Sequence, residues 1–464
     1  MEEKIVYIVH CVDTEGPMFE SLKSTGDRIF NAFGLSYEMT PEKLKMLQQG
    51  IDVPDELKES MMDFLNPERL KYNSTWSEID EMLDSIMSKS WRMKYSDDFG
   101  NAYKFNWFIL DFVGFTINPR RRALGYNVIY NHYAEKIKLF NLKDKLYFHY
   151  HPTPFFYEAN KASNNFHFSN EHLQILSRRV IDLLYFPPAY RPGQHTERAD
   201  INLFLEQWIP IDYGNQGMLE SAKDALQNDI GGGRYGDWRR ATKEWEVYHP
   251  DYLDYQKKGS MKRYIARCLN LGCRLRPITR EEIYSAFSRA DSGKKTILSI
   301  TNHDSREMRN DINDFMQDVR DVQKDFSNVK ICHTNAVSAV RSVESMPYEE
   351  PTKFDITLVD NLLTIRANKL VWGAQPYFCF HTKDDRYIHE NLDFQGDLTW
   401  SYVFDTDNIE LSKIHSIGVA ANDHYANTSV YRINISKGKT KICLLYTSDA
   451  ADDLLCVDLG GRRI

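Results

Sequence analysis

The stretch that decides the fold lies at the start of the chain, where residues 3–16 are EKIVYIVHCVDTEG. Its first ten residues are almost all apolar and rich in β-branched types, which is typical of a strand buried on both faces. Two carboxylates, Asp13 and Glu15, follow at once. Polar groups of an α/β fold gather at the carboxyl ends of its strands. The sequence therefore predicts a sheet whose strand ends carry the chemistry.

Strand-like and helix-like segments alternate along the rest of the first 345 residues. Strands are predicted at FNWFILDFV (105–113), KLYFHYH (145–151), KTILSI (295–300) and VKICH (329–333), with a short segment at 209–212. Helices are predicted at 125–140, 170–184, 200–208 and 308–326, and those at 170–184 and 308–326 have one apolar face. This alternation predicts an α/β barrel or a doubly wound sheet.

Two segments interrupt the alternation. Residues 35–100 are polar and helical, and predict an inserted helical segment. Residues 213–260 hold three consecutive glycines but no phosphate-binding motif, so we interpret them as a long loop and a candidate lid.

The last quarter of the chain differs in pattern. Beyond a linker at 345–353, short segments alternate apolar and polar residues between turn signals, which predicts a β-sandwich over 350–442. It could bind sugar or pack on the first domain. Residues 443–464, CLLYTSDAADDLLCVDLGGRRI, resemble a translated sequencing adapter. We therefore expect this tail to be an artefact and disordered, with the genuine C-terminus beyond Ile442 missing.

The composition of the chain limits the classes of partner and the cell compartment that we expect for the protein. The formal charge is −8 and the one compact basic run is at 120–122, so we expect no nucleic-acid or anionic-membrane partner. The absence of a long apolar stretch predicts no stable membrane insertion. Seven scattered cysteines without a CxxC pair, and no signal-peptide pattern, favour the cytoplasm. Aromatic residues make up 13%, which suits either a large core or a sugar-binding surface.

The pair His149 and His151 is the first candidate for metal binding. Alternate side chains of a strand share a face, so both imidazoles point the same way. Two neutral imidazoles and a carboxylate form a three-ligand catalytic site with an open position. Zinc suits such ligands, and Co, Ni or Mn are alternatives. The competing interpretation is two ordinary core or surface histidines.

Three further polar residues follow predicted strands. Arg191 lies in the turn sequence Tyr-Arg-Pro-Gly, where it could pair with a carboxylate. Asp212 ends its segment. His303 follows the strand at 295–300 and could protonate a leaving group, because histidine titrates near neutrality. The next residue, Asp304, either orients His303 or caps the following helix.

The order of these elements resembles the polysaccharide deacetylases of the NodB-homology type, most closely the lipopolysaccharide-biosynthesis members, over about residues 3–340. The resemblance implies a deformed TIM-like (β/α) barrel with fewer than eight strands. It also implies a role for each catalytic residue. Asp13 would be the general base and Arg191 would orient it. His303 would be the general acid, and Asp212 would adjust its acidity. Glu15, His149 and His151 would be the metal ligands.

This chain departs from the family's pattern in three motifs. The usual Asp-Asp is Asp13-Thr-Glu15 here, and one residue separates the histidines instead of three. Arg191 precedes Pro-Gly, where the family has x-Pro-Tyr. Whether Asp13 or Glu15 is the ligand therefore stays open. The resemblance implies a metal-dependent hydrolase that removes an N-acyl group from a sugar in surface-polysaccharide or lipopolysaccharide biosynthesis. The alternatives are a non-catalytic glycan-binding or scaffold protein and a glycoside hydrolase using Asp13 and Glu15.

Overall fold

Strand β1 (Lys4–Thr14) lies at the centre of a nine-stranded sheet in the computed structural model of the chain. The structure describes residues 3–118, 124–154, 157–158, 170–195, 197, 199–219, 236–273, 276–436, 439–447 and 455–458. The other strands of this sheet are β2 (Phe105–Ile109), β3 (Lys145–Tyr150), β4 (Ala189–Pro192), β5 (Ile211–Asn215), β6 (Val247–Tyr248), β7 (Tyr264–Asn270), β8 (Thr296–His303) and β9 (Val329–His333).

Seven of these strands run parallel and close into a barrel. Their order is β1–β2–β3–β4–β5–β7–β8, and β8 pairs with β1 again. Strand β9 pairs with the first half of β1, and β6 lies antiparallel to β7. The fold thus has the mixed α/β character and the closed parallel barrel that the sequence predicts, with seven strands.

Helices connect the strands of the barrel. Six of them, between β1 and β2, form the predicted insertion, which starts earlier than expected: α1 (Leu22–Phe33), α2 (Pro41–Gln48), α3 (Lys58–Phe64), α4 (Pro67–Leu70), α5 (Trp76–Ile86) and α6 (Lys89–Lys94). The later helices are α7 (Val128–Leu139), α8 (Glu171–Leu183), α9 (Ala199–Trp208), α10 (Arg280–Asp291), α11 (Arg309–Gln323) and α12 (Ala336–Val343).

Strand β7 is a barrel strand that the sequence pattern does not predict. It carries the buried charge of Arg267, which donates to Glu282 of α10 (Nη2 to Oε1, 2.6 Å) and to the carbonyl of Gly217 (2.6 Å). A charged residue in a strand normally indicates an exposed or irregular segment, whereas this one is paired inside the fold.

Two antiparallel sheets follow the barrel and pack face to face. One sheet has the order β10–β11–β15–β14 and the other β13–β12–β16–β17–β18–β19. The strands are β10 (Phe354–Val359), β11 (Leu362–Ala367), β12 (Tyr377–Thr382), β13 (Tyr387–Glu390), β14 (Asp393–Gly396), β15 (Thr399–Val403), β16 (Ile414–Asn422), β17 (Thr428–Ser436), β18 (Lys439–Thr447) and β19 (Leu455–Asp458). A shared apolar core lies between the sheets, as a β-sandwich requires.

The sandwich also packs on the barrel. Tyr377, Cys379 and Ala420 of the second sheet belong to the same apolar cluster as Val180 and Ile181 of α8. Of the two roles considered for this domain, packing on the barrel is therefore present in the structure.

Part of the tail is placed in strands, contrary to the disorder that we expected. Residues 443–447 extend β18, and Leu455–Asp458 forms β19 at the sheet edge. An apolar segment next to the open edge of β17 can complete backbone hydrogen bonds whatever its origin. The basic run at 120–122 and the glycines at 231–233 lie outside the described residues. Within the described part, no helix has the length and apolar character needed to cross a bilayer.

Candidate metal centre

Strand alternation directs Asp13 and His303 into the barrel. On β1, Val9 and Cys11 belong to the apolar cluster inside the barrel, so Asp13, two residues further on, faces the same way. The register of β1 and β8 pairs Asp13 with His303, and partners in register share a face. Glu15 follows just beyond the strand end, and both carboxylates are buried.

The same alternation brings in the histidine pair and the arginine. On β3, Tyr147 belongs to the interior cluster, which places His149 and His151 on the inner side. The register of β3 and β4 pairs His149 with Arg191. The ends of β1, β3, β4 and β8 therefore deliver six of the seven predicted residues to one place.

Glu15, His149 and His151 form a group that could hold a metal ion, with ligand atoms all within 4.8 Å of one another. The two Nε2 atoms lie 3.1 Å apart, and Glu15 Oε1 lies 3.2 Å from His151 Nε2. Ligand atoms at about 2.0–2.1 Å from a tetrahedral zinc ion lie roughly 3.3 Å from each other. The spacing of the donor atoms thus fits one ion of this kind.

The surroundings of the two imidazoles orient them for ligation. The Nδ1 of His149 donates to the carbonyl oxygen of Arg191 (3.0 Å), which leaves the lone pair of Nε2 free for a metal. Burial lowers the pKa of His149 to about 3, so its ring is neutral. The ring of His151 lies against Gly193, where a Cβ atom would come within 2.4 Å of Cδ2. Only glycine permits that approach.

Asp13 pairs with arginine instead of joining the ligand group. Arg191 donates from Nε to Oδ1 (2.7 Å) and from Nη2 to Oδ2 (3.0 Å), and its Nη1 donates to the carbonyl of Tyr213 (2.7 Å). Burial would raise the pKa of Asp13, but the charge and hydrogen bonds of Arg191, together with the nearby His149 and His303, hold that pKa well below its ordinary value. His303 Nε2 lies 3.8 Å from Asp13 Oδ2, and its side chain is 28% exposed, so it is the accessible member of the pair.

Asp304 has a role that neither sequence interpretation anticipates. Its oxygens accept from the backbone amides of Glu15 (2.7 Å) and Gly16 (3.1 Å) and from the hydroxyl of Tyr133 (2.9 Å). The next helix, α11, has Met308 at its N-cap, so Asp304 does not cap it. Burial raises the pKa of Asp304 to about 7. Asp304 thus fixes the backbone that presents Glu15.

Asp212 is not brought into contact with the other predicted residues. It pairs in register with Tyr190, which packs outside the barrel, so its side chain faces away from Asp13 and His303. Its described ion pair is with Arg263 (Nε to Oδ2, 3.5 Å), which also hydrogen-bonds Glu197. No described hydrogen bond or ion pair joins Asp212 to His303, so the tuning role implied by the resemblance has no contact to support it.

His195 is a site residue that the sequence reasoning misses. It lies in the turn Gly193–His195, which directly follows β4, and is 8% exposed. Burial lowers the pKa of His195 well below its ordinary value, and the charges acting on the ring include Arg191, Asp13 and His303. A histidine four residues after Arg191 was the available signal, but a Pro-Gly turn has no periodicity from which to predict a side chain's direction.

Comparison with known proteins adds no relative to this description. The chain matches no protein-family model, and neither a curated protein nor a solved structure matches it.

Proposed function

We propose that the protein is a metal-dependent hydrolase that removes an N-acyl group, acetyl in type, from a sugar. The observation that carries the proposal is the adjacency of two units: the Glu15, His149 and His151 group, and the Asp13–Arg191 pair that faces His303. A divalent ion, for which zinc suits the donors best, would supply Lewis acidity toward an amide carbonyl and lower the pKa of water to about 7.

Asp13 is suited to receive the proton of the attacking water. Arg191 keeps it ionised and holds its carboxylate in one orientation through two hydrogen bonds. A carboxyl group with a depressed pKa also releases its proton readily. Nε2 of His303, 3.8 Å from Oδ2, is an accessible acceptor for that proton.

His303 is suited to deliver that proton to the departing amine. Burial lowers its pKa, so it is largely neutral at rest and gains its proton during the reaction. Its partly exposed ring lies where a substrate can reach it, whereas Asp13 is buried. The proton thus passes from water to Asp13, then to His303, then to the amine nitrogen as the C–N bond breaks.

The substrate class and compartment are part of the proposal. The family resemblance supports an N-acylated sugar from surface-polysaccharide or lipopolysaccharide biosynthesis, handled in the cytoplasm. The departures from the family's motifs bear on the ligand assignment, and here the spacing supports Glu15 as the ligand and Asp13 as the base.

The test uses the full chain, stripped of metal and reloaded with zinc. Bound zinc is measured by mass spectrometry, and acetate release from N-acetylglucosamine, N-acetylgalactosamine and their uridine diphosphate conjugates by NMR. We expect one zinc per chain and acetate from at least one sugar. We further expect His149→Ala to lose the zinc and Asp13→Asn to keep zinc but lose activity.

The matched control is His389→Ala, at a half-buried histidine of β13 in the sandwich, which should retain both zinc and activity. A protein that holds one zinc yet releases no acetate from any of the four sugars contradicts the proposal. Glycan binding that survives in Asp13→Asn and His303→Ala of such an inactive protein would support the non-catalytic alternative.

A further inference from the structure

His195, in the turn after β4, lies beside the proposed reaction centre. The proposed proton transfers do not involve it. His195 is four residues beyond Arg191 and two beyond Gly193, which contacts the His151 ring. The charged groups that act on its imidazole are Arg191, Arg276, Asp13 and His303. Its ring therefore lies within electrostatic reach of the pair that handles the proton.

The ring of His195 is buried and leaves one of its two nitrogens without a hydrogen-bond partner in the described part of the chain. That nitrogen is Nδ1, which is inaccessible. Leaving a buried polar atom unpaired costs about 1–3 kcal/mol. A residue kept only for packing has no need of that cost, whereas a ligand that arrives with an oxygen atom removes it.

The backbone at this turn is held in an unfavourable conformation. Gln194 and His195 have φ angles of 52° and 53°, in the left-handed region that residues other than glycine adopt uncommonly. Trp238 Nε1 donates to the carbonyl of His195 (3.0 Å), and the amide of Gly236 donates to that of Gln194 (3.3 Å). A Cβ atom on Gly236 would lie 1.5 Å from the His195 oxygen. Strain maintained by such contacts is typical of functional positions.

Two neighbouring polar atoms share the property of being buried and unpaired. They are Oε1 of Gln194, in the same turn, and Oγ1 of Thr153, just beyond the end of β3. Strands β3 and β4 are adjacent in the barrel. The segments that follow these two strands, at the barrel end that carries the metal centre, therefore hold three buried and unpaired hydrogen-bonding atoms, which suits a ligand with several hydroxyl groups.

We propose that His195 is a substrate-binding residue that helps determine specificity, and that its imidazole forms a hydrogen bond with an oxygen of the sugar. This inference rests on the proposed function and names the group that selects the sugar. Thr153 and Gln194 are the neighbours that bind further oxygens. The ring acts as a neutral hydrogen-bonding group, so it serves binding and not proton transfer.

The test exploits the left-handed backbone. His195→Gly removes the ring and accommodates the positive φ without steric cost, so the turn can keep its backbone conformation. His195→Asn tolerates the same φ and keeps an amide that can form a hydrogen bond at shorter reach. Each is loaded with zinc, and the dissociation constant of N-acetylglucosamine is measured by ligand-observed NMR. Zinc alone is titrated in parallel, and KM and kcat are determined on the best of the four sugars above.

We expect His195→Gly to weaken sugar binding and raise KM about tenfold, the value of one hydrogen bond, with zinc affinity unchanged. The sugar affinity and KM of His195→Asn should lie between those of the natural protein and those of His195→Gly. Added imidazole should restore part of the sugar binding of His195→Gly. The control is again His389→Ala, which should bind the sugar as the natural protein does.

Equal sugar affinity and KM with and without the ring overturn this inference and leave the proposed function standing. If the zinc-loaded natural protein neither binds nor hydrolyses any of the four sugars, the proposed function and this inference both fail. A loss of zinc in His195→Gly equally overturns it, because the residue would then support the metal centre instead of the substrate.

Discussion

Arg191 holds Asp13 through two parallel hydrogen bonds, Nε to Oδ1 at 2.7 Å and Nη2 to Oδ2 at 3.0 Å, with both side chains buried. Two-point contact of this kind fixes the carboxylate in its plane as well as in its position. It also helps to keep Asp13 ionised, because the charge and hydrogen bonds of Arg191 act with His149 and His303 against the effect of burial and lower the pKa of Asp13. The pair is therefore a structural and a chemical unit, which predicts unequal effects of removing one partner or both.

Arg191→Met should lower the free energy of unfolding by about 3–5 kcal/mol, because it leaves the charge of Asp13 buried and unpaired. The double variant Arg191→Met/Asp13→Leu should be less destabilised than the single one. Urea unfolding of the metal-free protein at pH 7 measures both. The control is Arg386→Met, whose partner Asp384 is exposed, and it should cost under about 1 kcal/mol. Equal losses for single and double variants would contradict the coupling.

The contact between Gly193 and His151 predicts a loss of metal affinity on adding one methyl group. In Gly193→Ala the new Cβ would lie 2.4 Å from the His151 ring and 2.8 Å from the Tyr150 carbonyl, so the imidazole must move. We expect zinc affinity, measured by competition with a chelating dye, to fall about tenfold or more.

The matched control for this substitution is Gly34→Ala at the end of α1. Gly34 has a positive φ of 73°, which Gly193 does not have, and a Cβ there meets no atom within 4 Å. The control should lose some stability and keep its zinc affinity. If both variants bind zinc as tightly as the natural protein, the ring of His151 is not positioned by Gly193.

Information that is local in the chain sufficed for much of the candidate site. That His149 and His151 share a face follows from the two-residue period of a strand. Which face of β5 turns inward depends on its pairing with β4, so the position of Asp212 did not follow from its own segment. The direction of His195 depends on contacts from Trp238, forty-three residues later.

The strands of the fold likewise differ in whether the local sequence was enough to predict them. Apolar strands such as β1 were predictable because burial on both faces leaves a continuous apolar run. Strand β7 was not, because Arg267 finds its partner, Glu282, on a helix outside that strand. In each of these cases, Asp212, His195 and β7, the structure depends on contacts with residues distant in the chain, which the local sequence pattern does not reveal.

The buried environment of His10 leads us to expect that the protein becomes less stable as the pH falls below about 6.5. Its Nδ1 contacts the hydroxyl of Tyr103 and its Nε2 the Oδ1 of Asn302, each at 2.8 Å. Burial lowers the pKa of His10 to about 4, against the opposing effect of the Asn302 hydrogen bond. The unfolded chain, with a value near 6.5, binds the proton first as the pH falls. The stability that neutral His10 contributes is therefore present above about pH 6.5 and lost between there and pH 4.

His10→Gln should be less stable than the natural protein at pH 7.5, and the gap should narrow by up to about 3 kcal/mol at pH 4. Urea unfolding of the metal-free proteins across this range measures the gap. His415→Gln, at an exposed histidine of β16, is the control and should leave the pH dependence unchanged. A gap for His10→Gln that stays constant across the range would show that His10 does not titrate differently in the two states.

Asn422 joins the sandwich to the barrel by hydrogen bonds, and we therefore expect the two domains to unfold together. Its Nδ2 donates to the carbonyl oxygens of Pro187 (2.8 Å) and Trp208 (2.9 Å), at the ends of barrel segments, while its Oδ1 accepts from Thr428 (2.6 Å). All of this is buried, beside the apolar cluster that α8 shares with the second sheet. Asn422→Leu removes the donor and leaves two buried carbonyls unpaired.

We expect Asn422→Leu to lower the free energy of unfolding by about 2–5 kcal/mol, since each buried unsatisfied group costs about 1–3 kcal/mol. Circular dichroism and tryptophan fluorescence should still report one coincident transition, because the shared core couples the domains. Asn361→Ala, in the exposed turn between β10 and β11, is the control and should cost under about 1 kcal/mol. Two separate transitions, with only the sandwich shifted, would mean that the interface does not contribute to the stability of the barrel and that the metal centre folds independently of it.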